Sequence, residues 1–112
     1  MWEEIEKYLN FLEVAVTEMS KRSIDLAQKE YNYKTALSKR LLKLRAEGQA
    51  VTLLSDIARG EKEIADLRLA RDIAQGLYDS SKEAINMYKI RIRVLENQYS
   101  REYSNPRAGF GG

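Results

Sequence analysis

The side chains that most often carry catalysis and metal binding at neutral pH are missing from this chain. Its 112 residues include no His and no Cys, so the usual general base, the thiolate nucleophile and the soft metal ligands cannot be supplied. Any chemistry would have to come from carboxylates, Lys, Tyr and hydroxyl groups. The sequence therefore predicts a protein that is not an enzyme, with no catalytic residues and no cofactor.

One pair of carboxylates has a spacing that could hold a metal ion. Glu63 and Asp66 lie three residues apart, about one helical turn, and Mg²⁺ binds several oxygens on one face. A nucleotide hydrolase of this kind needs further carboxylates opposite, but the segment expected there contains Lys39, Arg40 and Lys43. A magnesium-dependent nucleotide hydrolase is thus the third hypothesis for function. Exposed acids at a helix start are preferred, and no metal site is predicted.

A basic segment with neighbouring tyrosines gives the case for a nucleic-acid contact. Six Lys and Arg residues stand against Glu30 alone within residues 29–45. Such groups can follow a phosphate backbone, and tyrosine rings can stack on bases. The acidic residues that follow, within residues 46–72, could instead neutralise this segment, and a mixed-charge surface is the preferred interpretation. The candidate nucleic-acid contacts are Lys34, Lys39, Arg40, Lys43 and Arg45.

The composition of the whole chain places few limits on a partner. The formal net charge is +2, which is too small to favour nucleic acid or an anionic surface by itself. No stretch approaches the roughly 20 apolar residues of a membrane span, and the first residues are acidic, unlike a signal peptide. We therefore expect a cytoplasmic protein with no membrane partner.

Two long apolar repeats indicate which elements would position these side chains. No Pro or Gly interrupts the chain from Trp2 to Glu47, and apolar residues recur three and four apart, as in a coiled coil. Gly48 provides a helix stop, and a second repeat follows. The sequence predicts an all-α fold, a long antiparallel two-helix hairpin in one domain over residues 1–103. Its parts are a helix over 2–47, an elbow over 48–60, a helix over 61–103 and a disordered tail over 104–112.

The elbow is predicted to contain a short helix. Thr52 can cap its start and Gly60 can end it. Two helices around a glycine also suggest a helix-turn-helix, but the second helix would open with Glu61 and Glu63 instead of the polar and basic residues that read bases. A structural elbow is the preferred interpretation.

The two repeats also predict how the helices face each other. Pairing Leu44 with Ile64 near the elbow brings Leu9 opposite Tyr99 near the open ends. Charge supports an antiparallel pairing, because residues 1–18 hold five glutamates against Lys7, whereas residues 89–107 hold five basic residues against two glutamates. Exposed charge pairs of this kind favour register and orientation more than stability.

Other apolar side chains lie off the inner seam and would be exposed in an isolated hairpin. Exposed apolar surface of this extent marks an interface, and a helical bundle made from several copies would cover it. The sequence therefore predicts a homo-oligomer, a dimer or larger, that also binds a protein partner. The predicted interface residues are Tyr8, Phe11, Leu54, Ile57, Leu69, Ile73, Met87, Ile90 and Val94.

The elbow carries a pattern that resembles a group of phage proteins. It reads LRAEG over residues 44–48, then Thr52, Asp56 and ARG over residues 58–60. This pattern, the chain length and the unbroken second helix are similar to small all-helical accessory proteins of phages and prophages of Gram-positive bacteria, over about residues 30–100. The resemblance implies a phage accessory protein in the host cytoplasm, near replication or recombination or acting against a host defence. It transfers no site residues.

Two functions are carried forward from these observations. The first is a non-enzymatic accessory protein that acts by protein–protein binding as a helical oligomer, inhibiting or modulating a host defence or DNA-processing factor. The second is a nucleic-acid-binding accessory of phage replication or recombination. They use different surfaces, since the first needs the outer apolar residues and the second needs the basic segment.

Overall fold

A computed structural model describes residues 1–104, which form three α-helices. The first helix, α1, spans Trp2–Ala46, and a turn of 3-10 helix spans Val51–Leu53. The second helix, α2, spans Leu54–Gly60, and the third, α3, spans Lys62–Ser104. No strand occurs within these described residues. The predicted all-α fold is confirmed.

Both long helices begin and end within one residue of their predicted bounds. Acidic residues stand in the first turns and basic residues in the last turns of each, as the helix dipole favours. Ser104, placed in the predicted tail, is the last residue of α3. The remaining tail residues, 105–112, lie outside the described residues.

A glycine motif at the end of α1 satisfies the last carbonyl groups of the helix. Gly48 has a φ of 87°. Its N–H donates to the Arg45 carbonyl at 3.1 Å, and the Gln49 N–H donates to the Leu44 carbonyl at 3.2 Å. This pair of bonds around a residue with positive φ is the Schellman motif. The motif fixes where the chain leaves α1 and turns back.

The elbow has a small core of its own. Leu54 and Ala58 of α2 are buried together with Leu44 of α1. The half-buried residues around them are Leu37, Leu41 and Ile57. The short helix α2 is therefore packed against the last turns of α1.

For three residues of the elbow, the structure differs from the prediction. Leu54 is only 8% exposed and Ile57 is half-buried in the same cluster, so neither lies on the outer surface where the sequence placed it. The reason is that α2 turns this face toward α1. Thr52 does not cap α2, which begins at Leu54 and has no side-chain cap bond.

Packing divides the chain into two compact units. The turn unit is residues 21–79, and the terminal unit is residues 1–20 together with 80–104. The turn unit is continuous in sequence and includes the elbow, whereas the terminal unit brings together two separate segments.

In the turn unit, the antiparallel arms pair one heptad away from the predicted register. A pairing of Leu44 with Ile64 would place Arg40 level with Arg68. The Arg40 guanidinium instead donates to Glu61, seven residues earlier, at 2.6 and 2.7 Å. The packing of α2 on the end of α1 causes this shift. Because of it, the segment that runs back along α1 begins with α2 and not with α3.

The terminal unit shows the same one-heptad difference. Its buried core includes Ile5 of α1 and Ile92 and Leu95 of α3. The predicted register would place Trp2 level with Pro106, but its ring packs against Tyr99, seven residues earlier, with 6.1 Å between centroids.

Several seam residues remain partly exposed in this arrangement. Leu9, expected on the inner seam, and Val16, seven residues further along the same apolar repeat, are each 43% exposed, because a two-helix contact covers only a narrow strip of each helix. No helix among residues 1–104 is both long enough and apolar enough to cross a bilayer.

Candidate functional site

An apolar groove of about 490 Å³ lies in the terminal unit. Tyr8 contributes from α1, and the α3 residues recur three and four apart, so that one face of α3 presents them. The core of Ile5, Ile92 and Leu95 lies in the same unit and holds the two helices together. The residues lining the groove are Tyr8, Met87, Tyr88, Ile90, Arg91 and Val94.

The rings of Tyr8, Phe11 and Tyr88 form a cluster at the groove, and those of Tyr8 and Tyr88 also line it. Tyr8 and Phe11 meet edge to face with 5.6 Å between centroids, and Phe11 lies 5.8 Å from Tyr88. The Lys7 ammonium and the Arg91 guanidinium lie 5.6 and 5.7 Å from the Tyr8 ring centroid. Ring pairs and cation–π contacts of this kind stabilise the side chains in place. These contacts join α1 and α3 at the groove.

The apolar side chains around the groove are widely open to solvent. Met87 is 67% exposed, Ile90 57%, Val94 44% and Phe11 41%. Single exposed apolar residues are common, but a group that surrounds one groove is typical of a binding surface. We call Phe11 and the six lining residues the apolar groove surface.

The structure gathers five of the nine predicted interface residues on this surface. Tyr8, Phe11, Met87, Ile90 and Val94 come together within the terminal unit. The other four lie in the turn unit, where Leu69 and Ile73 are exposed on α3 and Leu54 and Ile57 are enclosed by the elbow.

Two exposed charged residues lie one heptad from residues of the apolar groove surface. Glu4 precedes Phe11 by seven residues on α1, and Arg101 follows Val94 by seven on α3, so each lies close to the same helix face as its apolar neighbour. Both are exposed, and neither forms an ion pair within residues 1–104. The charged groups that contact the groove rings are basic on both helices, because Lys7 of α1 and Arg91 of α3 lie over the Tyr8 ring.

A second groove, of about 680 Å³, lies in the turn unit and is lined mainly by residues with polar side chains. Tyr31, Thr35, Lys39 and Lys43 recur every four residues along α1 and form a row of one ring, one hydroxyl and two ammonium groups. Its remaining lining residues are Asn32, Ala36, Arg40, Glu61, Glu63 and Ile64. We call this the basic groove.

Arg40, one of the predicted nucleic-acid contacts, is already paired. Its guanidinium forms a bidentate pair with the Glu61 carboxylate. The hydrogen bonds from Arg40 lower the pKa of Glu61 below its usual range, and the bonds to Glu61 raise the pKa of Arg40. Arg40 therefore ties α1 to the end of α2 and is not open to a phosphate.

The other predicted contacts differ in how open they are. Lys34 lies 3.4 Å from Glu30, and Arg45 is exposed beyond the basic groove. Lys39 and Lys43 line the groove, and within the described residues neither has an ion pair. Tyr31 is 66% exposed in the same groove, whereas Tyr33 is buried beneath Arg71.

The carboxylates considered for magnesium have other surroundings. Asp66 accepts a hydrogen bond from the Lys62 ammonium at 2.6 Å, which raises the pKa of Lys62. Among residues 1–104, no group of three or more Asp, Glu, His or Cys side chains is placed to hold a metal ion.

Two groove residues were not singled out from the sequence. The apolar repeat of the second helix places Tyr88 on the inner seam, and Arg91 is one of the five basic residues within residues 89–107. A tyrosine at a seam position carries a hydroxyl that must reach a polar partner or water, which is a signal that Tyr88 lies at the edge of the contact.

Comparisons of the chain with protein-family models, with curated proteins and with solved structures found no match.

Proposed function

We propose that this chain is a non-catalytic interaction protein that works as a helical homo-oligomer, with the apolar groove surface as its self-association site. The observation that carries the proposal is the exposure of Phe11, Met87, Ile90 and Val94 around one groove. Burying such side chains stabilises an assembly by about 25 cal/mol per Å² of apolar surface removed from water. Aromatic and Met residues with a central Arg are also enriched in protein interfaces.

A non-catalytic role is supported by the residue types that the chain carries. It contains no His or Cys, and the apolar groove surface has no carboxylate or hydroxyl nucleophile beyond the tyrosine hydroxyls of Tyr8 and Tyr88. A surface of this composition suits binding better than bond cleavage.

The proposed setting is that of a phage accessory protein in the host cytoplasm. Its support is the elbow pattern over residues 44–60 and the unbroken helix that follows. In this setting the assembled bundle would bind and modulate a host defence or DNA-processing protein.

Sedimentation velocity across a concentration series tests the proposal. Wild-type protein is expected to sediment as a dimer or larger at micromolar concentration. Met87→Glu should shift it to monomer, because a charge would be buried in the apolar contact. Ile24→Glu is the matched control, since Ile24 is 72% exposed and Met87 67%, yet Ile24 lies in the turn unit. A monomeric wild type, or equal effects of the two variants, would contradict the proposal.

The second candidate function is binding of single-stranded nucleic acid in the basic groove. The observation that favours it is the row in which exposed Tyr31 precedes Lys39 and Lys43, two ammonium groups without an ion pair among residues 1–104. An exposed ring can stack on a base while ammonium groups contact phosphates. Glu63 in the same groove would oppose a phosphate.

Fluorescence anisotropy with a labelled single-stranded oligonucleotide tests this second candidate. Lys39→Gln with Lys43→Gln should weaken binding and reduce the salt dependence by about 0.7 log units of affinity per log unit of salt for each lost contact. Glu63→Gln should strengthen binding, and Lys34→Gln, outside the groove, is the control. No binding by the wild type at low salt would rule out this function.

A further inference from the structure

The Arg40–Glu61 pair lies inside the basic groove and occupies one of its cationic side chains. Arg40 lines the groove together with Lys39 and Lys43, so that three cations of α1 reach the same opening. The two ammonium groups have no ion pair within residues 1–104, whereas Nε and Nη2 of Arg40 both donate to the Glu61 carboxylate. The groove therefore contains a third cation that is held by the protein itself.

A phosphate group offers Arg40 the same bonding geometry as the Glu61 carboxylate. The guanidinium presents its donors as a rigid fork, which forms two parallel bonds with either kind of oxyanion. Arg40 is 28% exposed and Glu61 35%, so both groups are open to solvent in the groove. A phosphate that enters the groove would compete with Glu61 for the same two donors.

We infer that Arg40 is a third phosphate contact of the basic groove and that Glu61, by holding it, limits the affinity of the groove for single-stranded nucleic acid. This inference rests on the second candidate function and identifies a competitor for its ligand within the protein. Lys39 and Lys43 supply the first phosphate contacts, and Arg40 adds its two bonds when the Glu61 carboxylate is removed.

Fluorescence anisotropy of full-length variants with a labelled single-stranded oligonucleotide tests the inference. Glu61→Gln should bind about tenfold more tightly than wild type at low salt, because Arg40 then forms charge-assisted hydrogen bonds with a phosphate. The salt dependence should also steepen by about 0.7 log units of affinity per log unit of salt, the increment for one added phosphate contact.

Glu63→Gln is the matched control for net charge. Glu63 lines the same groove and loses the same charge, but the carboxylate that accepts from Arg40 is that of Glu61. This variant removes a repulsion without releasing a cation, so it should raise the affinity by less and leave the salt dependence unchanged.

A double variant, Arg40→Gln with Glu61→Gln, identifies the cation that is released. Lys43 also attracts Glu61 and contributes to its lowered pKa, so a gain in Glu61→Gln could come from either cation. Lys43 is unchanged in the double variant. If Arg40 is the new contact, the double variant should lose both the higher affinity and the steeper salt dependence of Glu61→Gln.

The variants are expected to keep their helices. The elbow core of Leu44, Leu54 and Ala58 includes neither member of the pair, and far-UV circular dichroism of each variant checks the helix content. Glu61→Gln and the double variant both lack the pair, so any loosening of the elbow affects them equally and cancels in their comparison.

The outcomes separate this inference from the function on which it rests. Equal gains in Glu61→Gln and Glu63→Gln, or no loss in the double variant, would overturn the role of Arg40. Wild-type binding that depends on Lys39 and Lys43 would then leave the second candidate function intact. No binding by the wild type or by any variant would overturn both.

Discussion

Among single side chains, Arg40 and Glu61 make the most direct polar connection between α1 and the end of α2. The two bonds of 2.6 and 2.7 Å are bidentate, the geometry that makes Arg–carboxylate pairs stronger than other surface pairs. Arg40 is 28% exposed and Glu61 35%, so solvent still screens them. The sequence offered Arg40 as a nucleic-acid contact, but its guanidinium is already bonded to the Glu61 carboxylate.

The Arg40–Glu61 pair predicts a specific dependence of stability on pH. Because the pKa of Glu61 is lowered in the folded protein, its contribution is present above the unfolded pKa of about 4.3 and is lost as pH falls through the folded pKa. Glu61→Gln should therefore be less stable than wild type at neutral pH, and this difference should shrink below about pH 4.3.

Thermal melts at a series of pH values, at one protein concentration, measure this difference. Arg40→Gln should remove the same pH-dependent part, and the double variant should lose little more than either single variant. Additive losses in the double variant would show that the two residues act separately.

Among the helices and their connection, the Schellman motif at Gly48 is the feature with the clearest energetic consequence. Its φ of 87° is strained for any residue with a Cβ, although nothing lies within 4 Å of the Cβ position. Gly48→Ala should therefore lower the free energy of unfolding by about 1–2 kcal/mol, from backbone strain alone.

Gly76 provides the contrasting change in the middle of α3. The space at its Cβ position is also open, and its φ is not positive. Gly76→Ala should raise the free energy of unfolding by about 0.5–1 kcal/mol, because Ala loses less conformational freedom in a helix. Urea denaturation of both variants measures the two effects, and equal signs would contradict the assignment of strain to Gly48.

The helices themselves could be predicted closely from the sequence, but their register could not. Long apolar repeats without Pro or Gly determine where α1 and α3 run. A heptad repeat, however, matches equally well after a shift of seven residues, so Leu44 could be paired with Ile64 without any conflict in the pattern. The packing of α2 on α1 selects one of these registers. The seven residues of α2 are too few for a periodic pattern to show that Leu54 faces inward.

For the whole molecule, the residues that form the apolar groove surface could be predicted in part. Tyr8, Phe11, Met87, Ile90 and Val94 were identified because they lie off the seam of their own helix. Their meeting in one groove depends on the register between two segments distant in sequence, which the repeat leaves open. Tyr88 and Arg91 were missed for the same reason, since their roles follow from what α1 places beside them.

The contact between Trp2 and Tyr99 gives the protein a natural optical probe. Trp2 is the only tryptophan in the chain, and its ring centroid lies 6.1 Å from that of Tyr99, inside the terminal unit. Its fluorescence emission therefore responds to separation of α1 and α3 in that unit, whereas far-UV circular dichroism follows helix content in the whole chain. Transitions that coincide by both methods would indicate one cooperative unfolding event, and transitions that differ would show that the two units open separately.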